Sequence, residues 1–269
     1  MFTVAGDYME SNESVRKLKN LALKSSAIVA FVLLWEAAPH LGLIDPIFIP
    51  PPSVVAVKIY QLLLSGELVV HIAASLQRVF LGFIIALVVA LPLGFLIGGW
   101  FKTFETAIDP LLQVLGQANP FTLFPVFMAL LGIGELSKIG IIYWVCQWPV
   151  LFNTVSGIKS VDPVYIKVGR SMGLTKFNLF KKVLLPAALP AIFTGIRMSA
   201  VFAFFMLIGA EMIGAHSGLG FLIIQSEAVF NMPKMYAAIV SVALLGIAIN
   251  YVMLRLERKA MSWKEDIAA

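Results

Sequence analysis

An all-α protein that crosses a membrane six times is the fold class this sequence predicts, and three observations carry the prediction. Hydrophobic residues make up 60% of the 269 positions and charged ones only 13%, against about 45–50% and about 25% in soluble domains. The mean hydropathy of +0.92 exceeds what one globular core can hide, which excludes an ordinary soluble enzyme, a disordered chain and a disulfide scaffold. Six stretches are long and apolar enough to cross about 30 Å of hydrocarbon, which takes about 20 residues. Finally, the lysines and arginines alternate in density from one connecting segment to the next, as they do when loops alternate between two sides of a bilayer.

Residues 1–24 are polar and of mixed charge. They lack a short apolar core with a small-residue cleavage site, so they read as a tail leading into a retained first helix. The first span is expected at 25–43, with one acid, Glu36. Pro50, Pro51 and Pro52 then force an extended segment, since proline lacks a donor and disfavours a helical predecessor. Ser53 is expected to cap a short interfacial helix over 54–64. The second span, 76–100, carries Arg78 near its start and a Gly94–Gly98 spacing that permits close helix approach. The third, 108–131, is interrupted by Pro120 and Pro125, which free backbone carbonyls that then need partners. The fourth covers 139–158, the fifth 187–213 with Arg197 and Glu211, and the sixth 235–256. Together 25–260 form one transmembrane domain, followed by a short tail at 261–269.

Polar side chains inside spans face the bundle interior or a wet path, because lipid exposure is costly. Gln113, Gln117, Asn119 and Thr122 on the third span, and Gln147 and Asn153 on the fourth beside Trp144 and Trp148, are the candidate lining of such a path. The other reading is that they make interhelical hydrogen bonds. Arg78, Arg197 and Glu211 cost about 2.5–3.5 kcal/mol each at depth, so each needs a partner or an interfacial position. Internal ion pairs and snorkelling are one account, and attraction of an anionic solute is the other.

With the N-terminus on the cytoplasmic side, fifteen lysines and arginines fall inside and three outside (Lys58, Lys138 and Lys234). That bias places both termini in the cytoplasm. The three histidines, His40, His71 and His216, are scattered near the outer face, which argues against a metal site. Cys146 is the single cysteine, so no internal disulfide is possible.

The inner loop 159–186 reads KSVDPVYIKVGRSMGLTKFNLFKKVLLP. Asp162 and Pro163 start a helix, and Gly173 is placed to stop it in a left-handed conformation. Thr175 caps a second helix with Phe177, Phe180 and Leu184 at helical spacing, and Pro186 is expected to end it. Such a basic helix–Gly–helix unit either pins itself to anionic lipid or fills a groove on a partner protein.

The loop resembles the EAA loop of ABC-importer permeases, which runs Glu-Ala-Ala, three residues, Gly, nine residues, an aliphatic, one residue, Leu-Pro. Gly173, Val183 and Leu185-Pro186 hold their places, whereas Lys167-Val168-Gly169 stands where Glu-Ala-Ala is usual. The segments IPPPSVV, ASLQRVFLGFIIALVVALPLGFLIG, DPLLQ, FTLFPV, GIGELSKI and AEMIGAHSGLGFLI resemble, in order, those of the nitrate/sulfonate/taurine permease group. The match departs at Gly116-Gln117-Ala118-Asn119, where that group has an Arg-Pro-containing stretch. The resemblance implies a type I importer permease of MetI-like fold in a prokaryotic inner membrane. It implies a homodimer of this chain, two ATP-binding subunits beneath it and an extracytoplasmic substrate-binding protein above. The cargo it implies is a small anionic solute of sulfonate, taurine or nitrate type; a non-anionic solute such as a heterocyclic vitamin precursor is the alternative. It assigns Lys167, Val168, Gly169, Arg170, Ser171, Met172, Gly173 and Leu174 to a coupling helix seated in the ATPase.

No Gly-x4-Gly-Lys-Ser/Thr occurs in the sequence, so ATP and Mg are expected on the partner ATPase, with no cofactor on this chain and no catalytic residue. Two rivals make other demands. A secondary transporter requires internal repeats and ion-coupling carboxylates, and no convincing repeat is visible. An intramembrane hydrolase requires a nucleophile with its base or a metal motif, and only the adjacent His216 and Ser217 invite that reading.

Overall fold

The computed structural model describes residues 26–99 and 102–261. The expected tail at 1–24 lies outside them, as does the expected tail at 261–269 apart from Met261. Among the described residues every regular element is helical. In chain order they are α1 (Ser26–His40), α2 (Pro52–Leu64), α3 (Glu67–Gly99), α4 (Lys102–Gly116), α5 (Pro120–Leu131), α6 (Glu135–Lys159), α7 (Pro163–Ser171), α8 (Lys176–Leu179), α9 (Leu185–Gly214), α10 (Leu219–Ala228) and α11 (Met232–Ala260).

Four helices are long and apolar enough to cross a bilayer: α3, α6, the continuous run Lys176–Gly214 that contains α8 and α9, and α11. At 1.5 Å per residue, α3 is about 50 Å long. It begins at Glu67, well before the predicted span, and so is longer than a hydrocarbon core of about 30 Å. The described part of α1 is 15 residues long.

Three of these helices form the centre. α3 lies on α6 through small residues: a β-carbon at Gly82 would fall 2.6 Å from Ile142 Cγ2, and one at Gly94 would fall 2.7 Å from Thr154 Cβ. The Gly94–Gly98 spacing therefore serves a contact within the chain. α6 lies on α9 in the same way, with Gly195 against Pro149 O and the Asn153 side chain. Ala86, Ile142, Cys146, Ala203 and Leu207 are buried where the three meet. Without a hydrophobic drive between helices in lipid, close backbone approach of this kind is what holds such bundles together.

Three details differ from the expected pattern. The third span is two helices, α4 and α5, bent by 94° at residues 117–119. Pro120 cannot donate a helical hydrogen bond, and Asn119 starts α5 afresh by accepting from Phe121 N at 2.9 Å. Ser53 does not cap α2, which Pro51 precedes without a side-chain cap. Its Oγ and N donate instead to the Glu36 carboxylate, at 2.7 and 3.0 Å, so the acid of α1 sits at the N-terminus of α2. Pro186 does not end the helix that precedes it. A π-helical turn at Phe180–Leu184 widens the coil just before the proline, and the helix continues into α9. Such a turn takes up the steric and hydrogen-bonding fault a proline introduces.

Between α9 and α11 lies α10, a 10-residue apolar helix too short to cross. It shares a core with α2, α11 and the start of α3, made of Val55, Leu62, Leu68, Leu219, Leu222, Ala237 and Ala238. α2 is thus fastened to the bundle by its buried side.

Candidate functional site: a helical handle and a buried ionic knot

At the C-terminal end of α6 the chain turns into the loop read above. Asp162 accepts from Val164 N at 2.8 Å and starts α7. The end of α7 is closed by a paired motif: Gly173 N donates to Arg170 O at 3.0 Å and Leu174 N donates to Gly169 O at 3.1 Å. Gly173 has φ +73°, the left-handed conformation this motif requires. Thr175 caps α8, accepting from Asn178 N.

Gly169 is buried at the crossing of α7 and α8. A β-carbon there would fall 2.6 Å from Leu179 Cδ1, so the last position of the Lys167-Val168-Gly169 triplet must stay small. Gly169→Leu is expected to force α7 off α8 and lower the stability of the hairpin by about 1–3 kcal/mol, read as faster proteolytic nicking at 163–175 with the long helices intact. The opposite face of the hairpin is bare. Val164, Tyr165, Val168, Met172 and Phe177 are each more than half exposed, with Lys167, Arg170 and Lys176 exposed among them. Lys159, at the base of the loop, is ion-paired with Glu105 of α4.

The other end of the bundle holds a buried ionic knot. Arg78 on α3, only 4% exposed, presents its guanidinium to three elements. Nε and Nη2 donate to the two oxygens of Glu135 at the start of α6, at 2.5 and 2.8 Å. Nη1 donates to Glu211 Oε1 of α9 at 2.6 Å and to Ser217 O at 2.7 Å, and Nη2 reaches Ser217 Oγ at 3.0 Å. All five donors of the fork are thereby used. Glu211 also accepts from Ser75 Oγ at 2.8 Å and from Gly220 N at 2.9 Å. Leu219 N donates to Ser75 Oγ, and Gly218 N donates to His71 Nδ1 at 3.0 Å, which places that ring's proton on Nε2. Gly218 sits at φ +115°, and a β-carbon on it would collide with the Glu211 carboxylate. The knot ties α3, α6, α9 and α10 together and explains why HSGLG follows the acid of α9.

The remaining candidates are distributed as follows. Gln113 donates to Asp109 at 2.6 Å along α4, Gln117 lies in the bend, Asn119 caps α5, and Thr122 is exposed in its first turn. All four therefore line the α4–α5 elbow. Gln147 is half-buried on α6, and Asn153 is apart from the elbow group, donating to Pro149 O at 2.8 Å and packing on α9. Arg197 is ion-paired with Glu257 of α11 at 3.2 Å. Both guanidiniums thus face carboxylates of the chain itself. Sequence reasoning does not find Ser75 and Glu135, and it reaches Ser217 only as the neighbour of His216, although Arg78 evidently needs a partner. Among the described residues no group of His, Cys, Asp and Glu is placed to hold a metal.

Residues 90–262 match the family described as binding-protein-dependent transport system inner membrane component. The chain is 33% identical over 272 residues to the putative aliphatic sulfonates transport permease protein SsuC of Bacillus subtilis (strain 168), covering 97% of each. It is 29% identical over 254 residues to the taurine transport system permease protein TauC of Escherichia coli (strain K12), covering 93% of this chain and 92% of that one. A solved structure of the MetNI methionine ABC transporter in an inward-facing conformation superposes with a TM-score of 0.63 at 19% identity, over 71% of this chain and 94% of that chain. That likeness shows the fold, a type I importer permease bundle. The bundle, the loop and the family match agree: the chain belongs to the inner-membrane permease components of binding-protein-dependent ABC importers, a multi-pass and non-enzymatic subunit.

Proposed function

We propose that this chain forms the membrane path for a small sulfonate-like anion, and that α7 is the handle through which a separate ATPase moves it. The observation that carries the reading is the bare apolar face of α7 and α8, rigidly closed at Gly173 and continuous with α6 on one side and α9 on the other. An exposed apolar patch ringed by basic residues marks an interaction surface, and an amphipathic helix of this kind seats in a groove of a partner. Lys167, Val168, Gly169, Arg170, Ser171, Met172, Gly173 and Leu174 make up the handle.

In this reading both termini and the handle are cytoplasmic and α1 supplies a sixth crossing. Two copies of the chain enclose the path, and a substrate-binding protein delivers cargo at the knot end. ATP and Mg bind the ATPase subunits alone. ATP-driven closure of those subunits biases a bistable bundle towards the outward-open state, and hydrolysis returns it. The elbow residues Gln113, Gln117, Asn119 and Thr122, with Gln147, face the path, while Asn153 braces α6 on α9. The sulfonate and taurine relatives support the anionic cargo.

The test is uptake by the importer reconstituted with its ATPase and binding protein. Labelled taurine or butanesulfonate is expected to accumulate only with ATP inside the ATPase compartment, and the purified chain alone is expected to turn over no ATP. Uptake driven by an ion gradient without ATP, or of uncharged solutes only, overturns the proposal.

A further inference from the structure

Two side chains of the bundle have polar atoms that no described residue puts to use. Among the described residues the buried side-chain N and O atoms lacking a hydrogen-bond partner are Trp144 Nε1 and Trp148 Nε1. They lie four residues apart and so on one face of α6, with ring centroids 5.2 Å apart at 78°. Trp148 is 9% exposed. An edge-to-face pair lets one ring turn its edge onto the face of the other, so at most one of the two N–H groups is spent on a ring. A buried donor left unmade costs about 1–3 kcal/mol, and two in one place call for a ligand that accepts.

The surroundings narrow that ligand. Trp148 stacks on Phe152 and packs on Gly116, the last residue of α4 before the elbow. Trp144 packs edge-on against Phe127 of α5. Leu112 and Leu115 of α4 share the cluster with Trp148, and Leu123 of α5 shares one with Trp144. The pair therefore sits in the crotch of the 94° bend, between the end of α4 and the body of α5. Indole donates and never accepts, so the site offers two donors against an apolar wall. We infer that Trp144 and Trp148 form a transient site for an oxyanion in the α4–α5 elbow. The inference rests on the anionic-cargo reading for its biological use, and on the two indoles for its existence. A weak site suits a path, since conduction needs binding favourable enough to enter and loose enough to leave.

The experiment uses the permease–ATPase complex in nanodiscs with 5-fluorotryptophan incorporated, the resonances of positions 144 and 148 being assigned from the variants Trp144→Phe and Trp148→Phe. Phenylalanine keeps an aromatic ring in each place and removes the N–H. Sodium methanesulfonate is titrated at fixed ionic strength, with dimethyl sulfone as the uncharged probe of similar shape. Both resonances are expected to shift saturably with methanesulfonate and not with dimethyl sulfone. Each single variant is expected to weaken the response of the remaining indole about tenfold. No saturable shift, or an equal response to dimethyl sulfone, overturns the site and leaves the indoles to resident water. Taurine uptake is measured in parallel. Uptake without a shift sinks the site and keeps the cargo, whereas a shift in an importer that moves no anion keeps the site and sinks the cargo.

Discussion

Replacing Arg78 with alanine is expected to cost the bundle about 3–5 kcal/mol, because it leaves the buried carboxylate of Glu211 without its cation. Glu211 is 1% exposed and would retain only Ser75 Oγ and Gly220 N as donors. Glu135 would keep Lys138 at 3.4 Å. Ser217 would lose both of its bonds to Arg78, and the turn that carries Gly218 would no longer be held against α3 on that side. Since whole domains are stable by about 5–15 kcal/mol, the folded permease should largely disappear from detergent-solubilised membranes, as read by fluorescence-detected size exclusion and by melting of what remains. Arg78→Lys separates charge from shape. An ammonium satisfies the net charge but cannot fork to Glu135 and Glu211 at once, so an intermediate melting temperature is expected. A wild-type melting curve for Arg78→Ala would show that the knot is incidental to stability.

The knot also marks the boundary of what the sequence makes legible. Arg78 and Glu211 announce themselves, because a charge at depth demands compensation whatever the fold. Glu135 does not: it lies beside a Gly-rich turn, where an acid needs no explanation, and only the meeting of α3 with α6 turns it into a partner. The same holds for the third span. Pro120 signals a break and Asn119 is a good cap, yet the 94° angle depends on α4 and α5 packing on different parts of α6. α10 is not legible because a ten-residue, mostly apolar stretch between two crossings has no periodicity to separate it from loop. The handle fared best, since Asp162, Gly173 and Thr175 act on their immediate neighbours and their roles follow from local stereochemistry. Pro186 misled for a related reason: its local preference was overridden by a π turn that the rest of α9 supports.

The handle supplies the second large effect, the loss of transport from a chain that still inserts and folds. Met172 and Val168 are 75% and 52% exposed, so Met172→Asp and Val168→Asp should change the stability of the isolated permease by no more than about 0.5 kcal/mol. In the assembly proposed above, each would press a carboxylate into an apolar contact, which costs several kcal/mol unless it is paired. Uptake is therefore expected to fall by a factor of about 100 or more, with the ATPase no longer co-purifying and the bundle melting normally. Gly173→Pro reaches the same end by another route. Proline fixes φ near −65° where Gly173 stands at +73°, and it removes the N–H that donates to Arg170 O. The hairpin then loses its shape while its surface chemistry stays intact. If the aspartate variants abolish uptake and Gly173→Pro does so too, both the surface and its rigid presentation are required. Full uptake by Met172→Asp together with Val168→Asp would mean that the ATPase grips some other part of the chain, since no buried apolar contact tolerates two new carboxylates.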